Sequence, residues 1–134
     1  MPRGEEEATK LERAVDTFIE RVQRVPERLR TVPPAEGEWT VMELAAHSAE
    51  IYPYWAKQIT FLRVSPGVPF GRTASDPDRI RFVDEHKSDS LKSLIDRLRT
   101  GSREASAALR AFTDQDWSRV TGIHAARGEM TMDA

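Results

Sequence analysis

The chain lacks cysteine altogether, and it also lacks a long apolar run and a leader-like N-terminus. Without cysteine there is no disulfide bond, thiolate metal ligand or cysteine nucleophile, and the composition suits a reducing compartment. No apolar run approaches the ~18 residues that a membrane span needs. Residues 1–10 are acidic and polar, unlike a signal or transit peptide. We therefore expect a cytoplasmic protein with no membrane partner.

A surplus of one charge is missing as well. The formal net charge is −2, from 20 basic and 22 acidic residues. Sixteen of the basic residues are arginines, and acids are interleaved with them along the chain. A balance of this kind gives no general attraction to nucleic acid or anionic lipid. We expect no nucleic-acid partner.

What the chain does have is enough apolar sequence for one core. With 134 residues, a single domain is expected. Apolar residues make up 39% and charged residues 31%, as in water-soluble globular proteins. A chain of this size buries roughly two thirds of its unfolded surface, so it can form a stable core without cross-links.

Apolar residues near the N-terminus recur at helical spacing. A first amphipathic helix is predicted from the following stripe: Leu11, Val15, Phe18, Ile19, Val22 and Leu29. Pro26 predicts a break or kink, because proline offers no donor to the preceding turn. Pro33 and Pro34 end the segment.

The second predicted helix has the clearest start. Thr40 followed by Glu43 is a capping box, and Trp39 and Leu44 stand where a hydrophobic staple would lie. The apolar stripe continues to Leu62. Pro53 interrupts the backbone hydrogen-bond ladder, but the apolar pattern continues in phase beyond it, which predicts a bent helix.

A loop rich in proline and glycine follows over residues 63–77, long enough to indicate function or mobility. Asp76 before Pro77 resembles a helix start. Ser88 or Asp89 is an equally good cap, which would make the segment around Phe82 a separate short helix. From Leu91 to Phe112 the helical pattern is clear, although Gly101 costs that helix about 1 kcal/mol relative to alanine.

The C-terminal segment echoes the start of the second helix. Residues 37–43 read GEWTVME and residues 128–133 read GEMTMD. By the same capping logic, Thr131 predicts a fourth helix that begins where the sequence stops. No strand alternation is visible. We therefore predict an all-α, up-down bundle of three long helices with a truncated fourth, in one domain over residues 1–134 that is incomplete at its C-terminus.

Three helices with wide apolar stripes need a fourth element to cover the apolar groove between them. Exposed apolar grooves of several hundred Å² usually find a partner. We therefore expect self-association, with a homodimer that completes the bundle.

His47 is the most interesting residue for chemistry. Glu43, Glu50 and Tyr54 stand at its i−4, i+3 and i+7 positions and share its side of the helix. His47 and Glu50 form an H-x-x-E pair that offers one nitrogen and one oxygen to a divalent ion. Spacing alone favours a boundary histidine bonded to a neighbour, because a catalytic metal normally needs three protein ligands. By position, His86 and His124 are not expected to be ligands.

The run from Gly37 to Trp55, GEWTVMELAAHSAEIYPYW, resembles the second-helix signature of the DinB-like superfamily. This group includes the bacillithiol transferases and the mycothiol-dependent maleylpyruvate isomerases. The long helix ending near Phe112 and the GEMTM run also fit, so the similarity covers nearly the whole chain. The resemblance implies a four-helix bundle that binds a divalent metal, often zinc or nickel, through three histidines.

The resemblance also implies roles for individual residues. His47 stands where the family's first metal histidine lies, and the other two, on the fourth helix, have no counterpart here. Glu50 would be an auxiliary ligand or lie beside the metal, and Tyr54 would contact a bound cofactor or substrate. The metal would polarise a low-molecular-weight thiol or a water, with thiol transfer or isomerisation favoured over hydrolysis.

Two other hypotheses stay open beside this metal-dependent enzyme. One is a non-catalytic helical binding or dimerisation module that lacks the complete metal site. The other is a carrier of a small molecule, held in the open groove beneath the proline-rich loop.

Overall fold

The computed structural model describes residues 2–132, and its elements follow the helical stripes closely. The helices are α1 (Arg3–Arg24), α2 (Val41–Val64), α3 (Pro77–His86), α4 (Leu91–Ala111) and the single turn α5 (Asp116–Arg119). A 3-10 turn covers Glu27–Leu29. The strands are β1 (Pro69–Phe70), β2 (Thr121–His124) and β3 (Gly128–Thr131). The predicted helical bundle is confirmed.

Helix α2 begins as its sequence indicates. The Thr40 hydroxyl accepts a hydrogen bond from the Glu43 amide at 3.1 Å, and the Glu43 carboxylate accepts one from the Thr40 amide at 3.1 Å. The helix continues through Pro53 for 11 more residues, to Val64. The capping box and the continuation of the helix beyond Pro53 are confirmed.

The segment around Phe82 is a separate helix, which was one of the two alternatives. The Asp76 side chain accepts from two amides at the start of α3. The second cap is Ser90, one residue beyond Asp89, and it accepts from the Ser93 amide. Asp89 instead lies 2.7 Å from His86 Nδ1.

Helix α4 lies between the other two long helices. One side of it packs on α2 and another packs on α1, while α3 packs on α2. The α2 contact is built around Leu94 and a run of small residues, and the α1 contact around Ile95 and Leu98. A third cluster, containing Leu62 and Phe112, joins the ends of these helices to α5. The cleft described below lies where α2, α3 and α4 meet.

A small sheet is present in addition, which the sequence did not predict. Its order is β1-β2-β3, with β1 parallel to β2 and β2 antiparallel to β3. Gly128, with φ of +75°, opens β3, and Thr131 pairs with Thr121 across the hairpin. The expectation of an all-α chain is therefore correct for the helices, which dominate the fold, but wrong for the segments that form this sheet.

The predicted start of a truncated fourth helix is also not what residues 128–131 form. They lie in β3, so Thr131 is a strand residue and not a helix cap. Met132 then packs against the cluster around Leu62 and Phe112. Asp133, the last residue of the GEMTMD run, lies outside the described residues. The helices of ten residues or more are instead four, α1 to α4, within residues 2–132.

Between Pro2 and Met132, no helix combines the length and the apolar character that a bilayer crossing requires.

Candidate functional site

A cleft of about 950 Å³ is bounded by α2, α3, α4 and the loop that follows β1. From α2 it is lined by Ala49, Glu50, Pro53, Tyr54 and Lys57. From α4 it is lined by Lys92, Ser93, Asp96, Arg97, Thr100, Gly101 and Glu104. Gly71, Arg72, Asp76, Asp78, Phe82 and Ser90 close the remaining side. These residues define what we call the cleft.

Arg72 contacts two side chains of α2 in the wall of the cleft. Its guanidinium donates to Glu50 Oε1, and its Cζ lies 3.8 Å from the centroid of the Tyr54 ring. The Arg72 and Glu50 side chains are only 11% and 12% exposed. A pair of this kind is largely removed from water, and each partner is the counter-ion of the other. Glu50 and Tyr54, two of the residues predicted from sequence, are therefore joined through a third that was not predicted.

The segment that carries Arg72 is held from two sides. The Gly71 amide donates to the Gln58 side chain of α2 at 2.9 Å. Phe70, the residue before it, pairs with His124 in the register of β1 and β2. Gly71 has φ of +76°, and a Cβ there would lie 2.6 Å from His124 Nε2. The sheet and α2 thus fix the direction in which the chain enters the cleft.

The Tyr54 phenol stays protonated at neutral pH. Burial raises the pKa of Tyr54, and the nearby Arg72 charge opposes that effect in part. The ring therefore offers Arg72 its neutral π-face, which attracts a cation.

His47 lies near this group without lining the cleft. Its ring centroid is 5.1 Å from that of Trp39, and the Arg79 guanidinium carbon lies 5.1 Å from the centroid of the Trp39 ring. The His47 Nδ1 atom is buried and has no hydrogen-bond partner among the described residues. Burial lowers the pKa of His47, Arg79 and Arg72 lower it further, and Glu50 acts in the opposite direction. His47 is therefore a neutral imidazole at pH 7.

The other two histidines are engaged elsewhere. His86 contacts Asp89 and the Phe82 ring. His124 Nδ1 accepts from the Ala126 amide at 3.0 Å, which makes Nε2 its protonated nitrogen while the ring is neutral. Its ring lies parallel to that of Trp55 at 6.0 Å. The three histidines do not meet.

The donor set of residues 2–132 does not fit a complete metal site. No group of three His, Asp or Glu side chains in that range is placed to hold an ion. Glu50, the predicted partner of His47 at a metal, is ion-paired with Arg72. The predicted metal roles of His47 and Glu50 stay predictions, because the described residues supply only part of a set.

Sequence reasoning missed Arg72. The loop that contains it was marked as functional or mobile by its length and its proline and glycine content. Nothing in the spacing connects Arg72 with Glu50, which lies 22 residues earlier. Only the folding of that loop back onto α2 brings the two together.

Comparisons with known proteins agree with this architecture. The sequence model of the DinB superfamily matches residues 10–134, and the chain belongs to that superfamily. The resemblance noted from the sequence is thus confirmed. No curated protein sequence matches the chain significantly.

One solved structure similar to this chain is YfiT from Bacillus subtilis. The TM-score is 0.77 at 14% identity, with 96% of this chain and 73% of that chain covered. YfiT is described as "a probable metal-dependent hydrolase with an unusual four-helix bundle topology". At this identity the likeness shows the shared fold.

Proposed function

We propose that the chain binds a small molecule in the cleft beside Arg72, Glu50 and Tyr54. The observation that carries this proposal is a cleft of about 950 Å³ that has a nearly buried ion pair in its wall. Ligand sites typically measure about 300–1,000 Å³ and combine apolar walls with a few fixed polar groups. This is the carrier hypothesis raised from the sequence, with its location moved to the cleft between α2, α3 and α4.

The walls suit such a ligand. Ala49, Pro53 and Phe82 supply apolar surface, and Gly101 lets α4 approach α2 closely at one end. Arg72 and Glu50 supply directional hydrogen bonding, and Tyr54 supports the guanidinium plane from one face. The chain's own residues thus provide shape, orientation and charge.

Fragment binding followed by amide NMR shifts tests the proposal. We expect small polar aromatic fragments to shift amides of α2 and α4 that border the cleft, such as those of Ala49 and Gly101. Thr100→Trp fills the cleft and should abolish these shifts. Arg99→Trp, at the preceding residue and outside the cleft lining, is the matched control and should preserve these shifts. Shifts that survive Thr100→Trp would contradict the proposal.

A second candidate function is the metal-dependent reaction that the resemblance implies, either thiol transfer or isomerisation. Membership of the DinB superfamily and the description of YfiT support a metal. The specific observation is His47, a neutral imidazole whose buried Nδ1 has no partner among residues 2–132. Neutral imidazole is the form that binds zinc or nickel. The described residues do not complete the donor set, so we derive no reaction step through a metal.

Metal titration of purified protein tests this second candidate. Zinc or nickel should bind stoichiometrically, and His47→Ala should remove the binding. His86→Ala is the control, because His86 is held by Asp89 and should not contribute. Binding that persists in His47→Ala would contradict the assignment. A cytoplasmic location, expected from the sequence, is part of both candidates.

We also propose that a second copy of the chain covers one face of α2 and α4. Phe61 is 51% exposed and Val64 is 79% exposed on that face, next to Ala107 and Ala111 of α4. Lys57 and Glu104 flank the face on opposite helices, and neither has an ion-pair partner within the described part of the chain. A two-fold axis would place Lys57 of each copy near the partner's acidic edge, so the face is self-complementary in charge.

A further inference from the structure

Arg72 has more hydrogen-bonding capacity than its surroundings use. One nitrogen, Nη2, donates to Glu50. No acceptor from residues 2–132 forms a hydrogen bond with its Nε or Nη1. A guanidinium carries five N–H donors in a planar fork, so the unused donors of Arg72 at the cleft wall can meet the acceptors of a ligand. With a side chain 11% exposed in the cleft wall, Arg72 is suited to a ligand acceptor.

Most of the other charged side chains of the cleft have partners among the described residues, but Arg97 does not. Asp76 caps α3, Asp78 pairs with Arg81, and Asp96 pairs with Lys92. Lys57 and Glu104 carry opposite charges at the edge shared with the exposed face of α2 and α4, without forming an ion pair with each other. Arg97 remains, with no partner anywhere between residues 2 and 132. The lining as a whole holds four basic and five acidic side chains, so anion recognition would depend on the donors of Arg72 and Arg97 that residues 2–132 leave unpaired and not on net charge.

We infer that the cleft recognises the anionic group of its ligand, a carboxylate or a phosphate, through Arg72, with Arg97 adding long-range attraction. This inference deepens the proposed function and rests on it. Arginine forms paired hydrogen bonds to carboxylate and phosphate oxygens, which gives direction as well as energy. Glu50 is then the internal competitor, which holds the guanidinium in place until the ligand's oxygens share or replace its own.

A purely structural role for the Arg72–Glu50 pair makes a different prediction. If the pair only clamps the loop to α2, removing Glu50 loosens the loop and brings no gain in anion binding. If Arg72 recognises an anion, removing Glu50 frees donors and strengthens anion binding. The sign of the Glu50→Gln effect therefore separates the two roles.

The probes are inorganic phosphate, succinate and the uncharged analogue succinamide. Titrations use constant ionic strength and buffer passed over a chelating resin, because soluble chelators are themselves anions. Binding is read from the Gly71 amide and the Arg72 Nε–H NMR signals. We expect saturable shifts with phosphate or succinate, whose relative affinities distinguish the two anion classes, and at least tenfold weaker binding of succinamide.

The variants supply the decisive comparison. Arg72→Gln should weaken anion binding by about tenfold to a hundredfold. Glu50→Gln should tighten it severalfold, and Arg99→Gln, an exposed arginine outside the cleft, should leave it unchanged. Where Arg72→Gln fails to fold because it strands Glu50, the double variant Glu50→Gln/Arg72→Gln removes both charges and should still fold and bind weakly.

Three outcomes would overturn the inference. Equal affinity for succinate and succinamide at the cleft would remove the charge recognition and leave the proposed small-molecule function standing. An unchanged or weakened affinity in Glu50→Gln would assign the pair to clamping the loop. Absence of cleft shifts with all three probes and with the neutral fragments would overturn both the inference and the proposed function.

Discussion

His47 shows how one residue's surroundings set its protonation state. Burial and the Arg79 charge favour the neutral ring, and only Glu50 favours the charged one. This state suits metal binding, the role that the superfamily resemblance implies. It also makes the folded state sensitive to acid, because the unfolded chain has no comparable burial.

The acid sensitivity of His47 gives a stability prediction. The folded pKa lies below the ordinary value of 6.5, so the unfolded state binds more protons as the pH falls past that value. The free energy of unfolding should therefore decrease as the pH is lowered from about 7.5 to about 5.5. His47→Gln should flatten this drop, measured by urea unfolding at each pH, whereas Ser48→Ala should preserve it. An equally steep drop in His47→Gln would show that other groups cause it.

Close packing against α2 explains the glycine at position 101, although glycine is unfavourable inside a helix. A Cβ at this position would lie 2.6 Å from Pro53 Cδ, and the proline ring within α2 has little room to give. Gly101→Ala should gain about 1 kcal/mol of helix propensity but lose about 1–3 kcal/mol to overlap. We expect net destabilisation in thermal unfolding. Thr100→Ala, one residue away and exposed, should be neutral or slightly stabilising.

At the scale of single elements, the start of α2 depends on two reciprocal hydrogen bonds between Thr40 and Glu43. Thr40→Ala should cost about 1 kcal/mol of stability, because it removes the side-chain acceptor of the Glu43 amide at the helix end. Thr17→Ala, at an exposed position inside α1, is the control and should cost nothing. Denaturant unfolding measures both. Equal effects at the two positions would mean that the capping box adds little here.

The similar runs GEWT, at residues 37–40, and GEMT, at residues 128–131, lead to different structures. After Gly37, the residues following Thr40 carry a helical stripe that packs on α4. After Gly128, β3 pairs with β2, and Met132 reaches the cluster around Leu62. Strands of two to four residues are too short to show alternation in sequence. A local pattern alone cannot separate the two outcomes, because long-range pairing decides the second.

At the scale of the whole molecule, the exposed face of α2 and α4 gives a prediction for assembly. We expect a homodimer by analytical ultracentrifugation. Phe61→Glu should convert it to a monomer, because it places a charge in the apolar centre of the contact. Phe18→Glu is not a suitable control, since Phe18 packs against the core. Arg99→Glu, exposed on another face, should leave the dimer intact.

Charge reversal tests the proposed pairing at the edge of that face. Lys57→Glu alone should weaken the dimer, and so should Glu104→Lys, because each brings like charges together across the two-fold axis. The double variant Lys57→Glu/Glu104→Lys restores complementarity and should restore association. A monomeric wild-type chain at high concentration would rule out this proposal.

The sequence by itself determined the helices, the capping box at Thr40 and the grouping of His47, Glu50 and Tyr54 on one side of α2. These depend on spacing within a single element. Residues three or four positions apart lie on the same face of a helix, so the sequence is enough to predict them. Only the tertiary structure decided that Arg72 pairs with Glu50, that Gly101 meets Pro53, and that residues 128–131 form a strand. Each of these depends on contacts between segments far apart in the chain, and their energies appear only once the helices have packed.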